Sequence, residues 1–561
     1  MSTERYIQLT NLHLILPSGD LSPLSSLYID TATGLICSAP SSSVAIDNIQ
    51  TIDLKGHWVS PGMIDIQING AFGVDLSEYT NEQEYVDGFR EMARGLCRIG
   101  VTGFLPTIIS QTPEKYHLIL PLLHRLPTRL NSEDGLSRSL GWHLEGPFIH
   151  PKKLGCHPLA SLTTASEGMT SLNDIYREAN LVKEDDGFVK VVTVAPDVEG
   201  ILDVIPELVD RGWKVSLGHT NASTERALRG VINGATLLTH LFNAMPPLHH
   251  REPGVIGLLG LSLASSPSQA TDGNMAQRVF STAPTPTVRS KAPTRVPSPI
   301  IEDQEKHAVA NEQSTDDTCL DGFEACAFGK IGYEANGTLQ SNVEYLDGQS
   351  EDDTCGYVYV QSGRKPNNST DHDESSVKAN LGGTRTPSED EAASDESAGD
   401  STRSGAQQDN QIIRRPYFSI IADGIHVHLQ AVSMAYNAHP DGCILVSDAM
   451  HMLDHSLSDG LHPWRDQLIE KRDGGITLAG TDTLAGSILP LPQAVLNLAR
   501  FSGVCLSKAV ICATYTPAKA LGGQVERMVG LEVGCWADLC IWDAGALKGV
   551  WKGGKEVWYQ G

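Results

Sequence analysis

The chain of 561 residues has no apolar run near the roughly 20 residues that a membrane-spanning helix needs, which argues against a membrane protein. Its eleven cysteines are scattered, without a CxxC pair, so neither a disulfide framework nor a thiolate zinc site is favoured. Residues 1–6 lack the basic region and apolar core of a signal peptide. We therefore expect a reducing, intracellular compartment, the cytoplasm.

An excess of basic charge is also missing. The chain carries 42 Lys and Arg against 68 Asp and Glu, a net charge of −26, whereas a nucleic-acid partner requires a basic surface. The acidity is uneven, because residues 265–411 hold about 25 acidic and 11 basic side chains. Ser, Thr, Pro, Asp and Glu dominate this segment, which predicts a disordered insert.

Short apolar runs bounded by turn residues recur along the rest of the chain. They lie near 59–69, 100–109, 140–148, 189–196, 214–219, 236–242, 418–423 and 443–448. Helical periodicity fills several gaps, as in 81–99 and 223–233, both followed by glycine. Strands that alternate with helices predict a parallel sheet, and eight such units predict an α/β fold of the (β/α)8 TIM-barrel type.

The two ends of the chain have the alternating pattern of β-strands, but neither has enough apolar residues for its own core. We expect them to form one small β-sandwich domain together. The predicted plan is 1–57 and 531–561 for that domain, 58–264 and 412–530 for the barrel, and 265–411 for the insert. The insert would then enter a helix-to-strand connection on the face opposite the active site. It is interpreted as a tolerated insertion, with regulation by phosphorylation or a wrongly assigned exon as alternatives.

Four of the apolar runs end in side chains suited to a metal site: Glu145, His219, His240 and Asp448. Taken singly, each has a structural interpretation, as a salt-bridge partner or a hydrogen-bonded core residue. Together, one carboxylate and two imidazoles suit a zinc-type Lewis acid and leave a position open for water. Asp448, on the last strand, would act as the general base on that water and later as the acid.

The motifs resemble the N-acetylglucosamine-6-phosphate deacetylase family of the amidohydrolase superfamily. The matching stretches run in family order and are 61–70, 143–147, 218–222, 239–246, 251–254, 422–427, 446–449 and 484–487. Most amidohydrolases carry His-x-His after the first strand, whereas this chain has Gln67 and Asn69 there. The resemblance therefore implies one divalent metal per subunit, zinc, with iron, cobalt or manganese as alternatives. Asp65 is interpreted as structural.

The resemblance also implies the substrate contacts. His157 would polarise the acetyl carbonyl, and Arg251 and His426 would hold the phosphate, partly across a homodimer. The remaining expected contacts are Cys156, Asn243, Ala244 and the closing loop of Leu484, Ala485 and Gly486. His249 and His250 are interpreted as solvated loop residues, and His426 has an alternative role as a cap of the seventh strand.

The implied activity is hydrolysis of N-acetylglucosamine 6-phosphate to glucosamine 6-phosphate and acetate, in amino-sugar metabolism. Two alternatives stay open at this point. The first is a related amide hydrolase, such as an N-acetylgalactosamine-6-phosphate deacetylase, since no residue determines the configuration at C4. The second is a non-catalytic scaffold whose acidic insert recruits partners.

Overall fold

The computed structural model describes most of the chain outside the acidic segment. The described residues are 5–41, 48–183, 188–261, 332–333, 339–340, 414–453, 458–465, 467–472, 474–543 and 545–560. The expected insert at 265–411 therefore lies outside the described residues, except for two paired two-residue strands within it. Among the described helices, none combines the length and apolarity needed to cross a membrane.

Eight parallel strands form the central barrel sheet, which confirms the predicted fold class. In chain order these barrel strands are Met63–Ile68, Val101–Ile109, Gly141–Glu145, Val189–Val194, Lys214–Leu217, Leu237–Leu238, Tyr417–Ile420 and Cys443–Leu445. Each pairs with the next in parallel register from the first to the eighth. Between the eighth and the first, the backbone N–H of Asp448 donates to the carbonyl of Gln67 at 2.9 Å. The strand ends of the barrel thus meet around one axis.

Helices cover the outside of this sheet. The α-helices are Glu82–Arg98, Pro113–Leu130, Met169–Tyr176, Glu178–Leu181, Ile201–Asp210, Thr224–Ile232, Leu429–Ala438, Leu491–Ser502, Leu506–Ile511, Tyr515–Leu521 and Gly523–Met528. Short 3-10 helices are Pro151–Lys153, Leu159–Ser161, Gly254–Gly260 and Pro440–Gly442. The two helices predicted from periodicity are present, and each begins at a side-chain cap, Asn81 and Ser223.

Strands from both chain ends share a second sheet. Its members are Tyr6–Leu14, Ser25–Asp30, Leu35–Cys37, Ile49–Asp53, Trp58–Pro61, Leu539–Asp543, Ala546–Lys552 and Lys555–Tyr559. The strands of the expected small β-domain are linked into one hydrogen-bonded path by the long first strand, which changes partners after an irregularity between Leu9 and Leu12. Its core draws buried side chains from both ends, for example Leu12 and Leu539.

The apolar run at 59–69 was expected to be one strand, but it divides into two. Trp58–Pro61 pairs with Leu539–Asp543 of the terminal sheet, and the first barrel strand begins at Met63. Gly62 lies between the two strands. The chain passes so close to Thr102 there that a Cβ on residue 62 would lie 2.1 Å from the Thr102 hydroxyl, so the position requires glycine.

A third, antiparallel sheet follows the eighth barrel strand and was not predicted from the sequence. It consists of Gly460–Trp464, Gln467–Arg472 and Gly475–Leu478. Its inner side chains, including Trp464 and Ile469, form a small core with Met450 just after the eighth strand. This sheet stands beside the open end of the barrel.

Two further short strands, Gly70–Ala71 and Val74–Asp75, follow the first barrel strand and pair with each other. The short strand Arg138–Ser139 pairs with the second barrel strand.

Candidate functional site

The carboxyl ends of four barrel strands bring the predicted side chains together. Glu145 is the last residue of the third strand, and His219, His240 and Asp448 follow the fifth, sixth and eighth. His219, His240 and Asp448 have left-handed backbone conformations, with φ of 46°, 28° and 47°. Such conformations cost about 1–3 kcal/mol each in non-glycine residues and concentrate at functional sites. The fold therefore holds these side chains at some expense in stability.

Glu145, His219 and His240 converge on one point. Glu145 Oε1 lies 3.2 Å from His219 Nε2 and 3.0 Å from His240 Nε2. The two Nε2 atoms are 3.1 Å apart. His219 Nδ1 lies 2.7 Å from the carbonyl of Lys153, which can only accept, so Nδ1 carries the proton of the neutral ring. Its Nε2 therefore turns a lone pair toward the carboxylate.

This cluster fits a cation. A lone pair of His219 and a carboxylate oxygen repel each other at 3.2 Å unless a positive charge lies between them. Positive charge at this point stabilises the carboxylate: burial alone would raise the pKa of Glu145, yet positive charge on the two imidazoles holds it well below its usual range. Burial likewise disfavours protonated His240, but Glu145 raises its pKa to about 9. Two imidazole nitrogens and one carboxylate oxygen are a donor set for a divalent transition metal.

A third histidine, His157, lies against the same cluster. A ring nitrogen of His157, a ring nitrogen of His219 and a carboxylate oxygen of Glu145 lie within 4.8 Å of one another. However, the backbone N–H of Ser110 donates to His157 Nδ1 at 3.3 Å, and the Ser110 hydroxyl is 2.8 Å from the same nitrogen. Nδ1 is therefore an acceptor and Nε2 carries the proton, 3.9 Å from Glu145 Oε2. Burial holds the pKa of His157 well below its usual range, so the ring is a neutral N–H donor.

Asp448 is clamped by two amides from the first strand. Gln67 Nε2 donates to Asp448 Oδ1 at 3.2 Å, and Asn69 Nδ2 donates to the same oxygen at 2.7 Å. Both bonds fall on Oδ1, which leaves Oδ2 for proton exchange. Burial, followed by the charge of Glu145, raises the pKa of Asp448 to about 6. A carboxyl group with a pKa near neutrality can both take and return a proton.

Asp65 supports this arrangement from behind. It is buried, and its Oδ1 accepts the backbone N–H groups of Gln67 at 3.2 Å and Ser447 at 3.3 Å. These bonds tie the first strand to the chain just before Asp448. This placement accords with the structural role predicted for Asp65.

These groups open onto one cavity of about 330 Å³. The expected substrate contacts that line it are Cys156, His157, Asn243, Ala244, His426, Leu484, Ala485 and Gly486. His426 Nδ1 lies 2.6 Å from Asp423 Oδ2, so the ring is oriented by a carboxylate. The loop at 484–486 is joined to the base, because the backbone N–H of Ser487 donates to the carbonyl of Asp448 at 3.0 Å.

Arg251 is the one expected contact that does not line this cavity. It is exposed, in the loop after the sixth barrel strand. His249 and His250 beside it are also exposed, and their rings are 4.4 Å apart. The cavity of a single chain is thus built without Arg251.

Sequence reasoning missed three residues of this site. Ser110 orients His157, and Asp75 and Arg465 line the cavity near the third sheet. The glycine pair at 474–475 is typical of a hairpin and could have indicated the third sheet, but it does not mark the preceding turn that carries Arg465. No comparable signal marks Ser110, because its partner is 47 positions away.

The same fold occurs in crystal structures of N-acetylglucosamine-6-phosphate deacetylases. The Pasteurella multocida enzyme superposes with a TM-score of 0.62, covering 98% of this chain and 99% of that one at 19% identity. A Mycobacterium smegmatis mutant in complex with N-acetyl-D-glucosamine-6-phosphate gives 0.59, covering 98% and 99% at 20% identity. These likenesses show that the chain has the barrel fold of those proteins.

Sequence comparison gives the same likeness over most of the chain. The N-acetylglucosamine-6-phosphate deacetylase of Caenorhabditis elegans is 28% identical over 90% of this chain and 84% of that protein. The rat and human proteins of the same name are 28% and 27% identical over 90% of this chain and 85% of theirs. No protein-family model matches. The chain is thus similar, over most of its length, to proteins named N-acetylglucosamine-6-phosphate deacetylase.

Proposed function

We propose that this protein hydrolyses the acetamide of N-acetylglucosamine 6-phosphate, giving glucosamine 6-phosphate and acetate. The observation that carries the proposal is the convergence of Glu145, His219 and His240 beside Asp448 and His157 in one cavity. This set suits attack of water on a carbonyl carbon, and the curated relatives bear the name of that activity.

Each residue has a defined task in this reaction. Glu145, His219 and His240 would hold one divalent ion, zinc, which supplies Lewis-acid polarisation of the carbonyl and of water. Asp448 Oδ2 accepts the proton of the attacking water as the new C–O bond forms. It then gives that proton to the amine nitrogen, and the C–N bond breaks to release acetate. The Nε2–H of His157 donates to the carbonyl oxygen as its negative charge develops.

The rest of the cavity would hold the phosphorylated sugar. Asn243, Ala244 and Cys156 line it, and the loop at 484–486 would close over it. His426 would bind the phosphate, and Arg251 would reach it from the second subunit of a homodimer. An exposed guanidinium is suited to that task, because it binds phosphate through two parallel hydrogen bonds. We place the reaction in the cytoplasm, in the use of amino sugars.

The test is acetate release from purified protein with a panel of N-acetylated hexosamines. N-acetylglucosamine and N-acetylgalactosamine should each be offered with and without a 6-phosphate, so that the panel also determines the C4 preference. Removal of metal by a chelator should abolish release, and added divalent metal should restore it. Absence of acetate release from every phosphorylated sugar, with metal bound, would contradict the proposal.

A further inference from the structure

The turn that follows the proposed ligand His219 is bound by a carboxylate from another strand. Asp197 lies three residues after the fourth barrel strand, and its side chain is 13% exposed. Its Oδ1 accepts the hydroxyl of Thr220, and its Oδ2 accepts the backbone N–H of Asn221 at 3.0 Å. Both donors belong to the two residues directly after His219. Asp197 does not line the cavity, and the proposed reaction gives it no task.

Thr220 completes the hydrogen bonds of this turn. It is fully buried, and its hydroxyl oxygen accepts the backbone N–H of Ala222 at 3.0 Å. Its own backbone N–H donates to the carbonyl of Ala244 at 3.1 Å. A hydroxyl has one hydrogen to donate, so the carboxylate of Asp197 determines its direction. The turn therefore depends on Asp197 for two of its bonds.

The loop that begins at His150 contacts both Asp197 and His219. His150 Nδ1 accepts the backbone N–H of Lys152 at 3.1 Å, so Nε2 carries the proton of the neutral ring. This Nε2 lies 3.8 Å from Asp197 Oδ2. The backbone N–H of His150 donates to the carbonyl of His219 at 2.9 Å. The carbonyl of Lys153 lies 2.7 Å from His219 Nδ1, so this loop binds both the backbone and the ring of His219.

His219 needs such support because its backbone is strained. A φ of 46° costs about 1–3 kcal/mol in a non-glycine residue and persists only where the surrounding structure over-determines it. Loss of the bonds to Asp197 would let this backbone relax, and the ring would turn away from Glu145, whose Oε1 lies 3.2 Å from His219 Nε2. The groups of a binding site must stay within about 0.5 Å of their productive geometry.

We infer that Asp197 is a positioning residue for the metal site: its carboxylate holds the turn after His219 and thereby directs the imidazole at the ion. This inference rests on the proposed function, because it requires the metal site of Glu145, His219 and His240. It adds to that function a residue outside the cavity that determines metal affinity. Removal of a residue that orients a metal ligand typically lowers metal affinity by about 10–100-fold.

The test is the zinc affinity of Asp197→Ala, measured by competition with a chromophoric chelator. We expect the zinc dissociation constant to rise about 10–100-fold, because the released turn no longer holds His219 in place. Asp197→Asn keeps the volume and one acceptor oxygen, so it should fold and show a smaller rise. The matched control is Asp203→Ala, at an exposed position on the helix Ile201–Asp210, where zinc affinity should be unchanged.

Substitutions at Thr220 test the same contact from its other side. Thr220→Val removes the hydroxyl and keeps the volume, so it should weaken zinc binding in the same direction as Asp197→Ala. Thr220→Ser keeps the hydroxyl and should bind zinc like the wild type. Thermal denaturation of the metal-free variants identifies a temperature at which all are folded. A purely structural role would lower the denaturation midpoint and leave the zinc affinity of the folded protein unchanged.

The outcomes separate this inference from the proposed function. Unchanged zinc affinity in folded Asp197→Ala, while wild type and Asp203→Ala each bind one zinc ion, would overturn the inference and leave the proposed function intact. Equal weakening in Asp197→Ala and Asp203→Ala would also overturn it, because the effect would not depend on the turn. A folded wild type that binds no zinc would refute the metal site of the proposed function, and this inference would fail with it.

Discussion

Gln67 donates its side-chain amide to Glu145 Oε1 at 2.8 Å, in the place where most amidohydrolases carry a metal-binding histidine. The amide satisfies the carboxylate oxygen and reaches Asp448 as well, at 3.2 Å. An amide nitrogen has no lone pair to offer a metal ion. The first strand thus contributes hydrogen bonds to Glu145, the proposed ligand, and to Asp448, the proposed base.

The first prediction concerns metal content. We expect one divalent ion per chain in purified protein, measured by elemental analysis, because the donors at Glu145, His219 and His240 form one set. Glu145→Gln should lower the bound metal several-fold, whereas Glu91→Gln on an exposed helix surface should leave it unchanged. Two ions per chain would contradict the role assigned to Gln67.

The second prediction concerns the base. Asp448→Asn should keep the fold, the metal and substrate binding, yet lose at least about 100-fold in turnover, since an amide cannot take the proton from water. Steady-state acetate release and elemental analysis measure the two effects. The control is Asp441→Asn, because Asp441 is exposed and lies just before the eighth barrel strand. Turnover near the wild-type value in Asp448→Asn would refute the mechanism.

The third prediction concerns the orientation of His157. Ser110→Ala removes the hydroxyl near Nδ1 but keeps the backbone N–H, so the tautomer survives with one hydrogen bond fewer. We expect kcat to fall about two- to tenfold at unchanged KM and metal content. His157→Gln should lose about 100-fold or more, as expected for an oxyanion donor. Ser110→Thr, which restores a hydroxyl, should recover activity. Equal losses of kcat in Ser110→Ala and His157→Gln would contradict the supporting role that we assign to Ser110.

The fourth prediction concerns the homodimer. Arg251→Ala and Asp448→Asn should each be nearly inactive, but co-expression should restore up to about a quarter of wild-type activity. Mixed dimers have one site with both Asp448 and the opposite Arg251, as a two-fold interface requires. Activity of the co-purified mixture measures this. If differential tags show that mixed dimers form but activity is not restored, Arg251 does not act in the partner's cavity. It would then bind the phosphate in its own chain or not bind it at all.

The fifth prediction concerns the acidic segment. Arg415 Nε donates to the carbonyl of Leu261 at 2.7 Å, so the described chain on either side of the segment is close in space. A few residues therefore suffice to bridge the gap, at about 3.3–3.6 Å per residue. Replacing 265–411 by a short Gly/Ser linker should change kcat/KM by less than about twofold. A folded but inactive deletion protein would favour a regulatory role for the segment.

The barrel could be predicted from sequence because its signals are local. Apolar runs, glycine stops and capping residues such as Asn81 each report on a few neighbouring positions. The candidate ligands Glu145, His219 and His240 were found from the rule that catalytic residues lie at strand ends. Family resemblance, rather than spacing, gave His157 and His426.

The parts that escaped prediction depend on contacts between distant segments. Gln67 reaches Asp448 across 381 positions, and Ser110 reaches His157 across 47. Arg465 escaped because its turn follows a short, mostly exposed strand and its partner Asp75 is 390 positions away in the sequence. Long-range polar pairs of this kind leave no periodic trace in one sequence.

The sheet shared by the two chain ends has a consequence for synthesis. Trp58–Pro61, which leads directly into the first barrel strand, pairs with Leu539–Asp543. On a translating ribosome, the early strand therefore waits for its partner until almost the whole polypeptide has been made. Contacts between sequence-distant segments also slow folding. We expect the nascent chain to expose this strand edge for most of its synthesis, which makes it a natural point of engagement for chaperones.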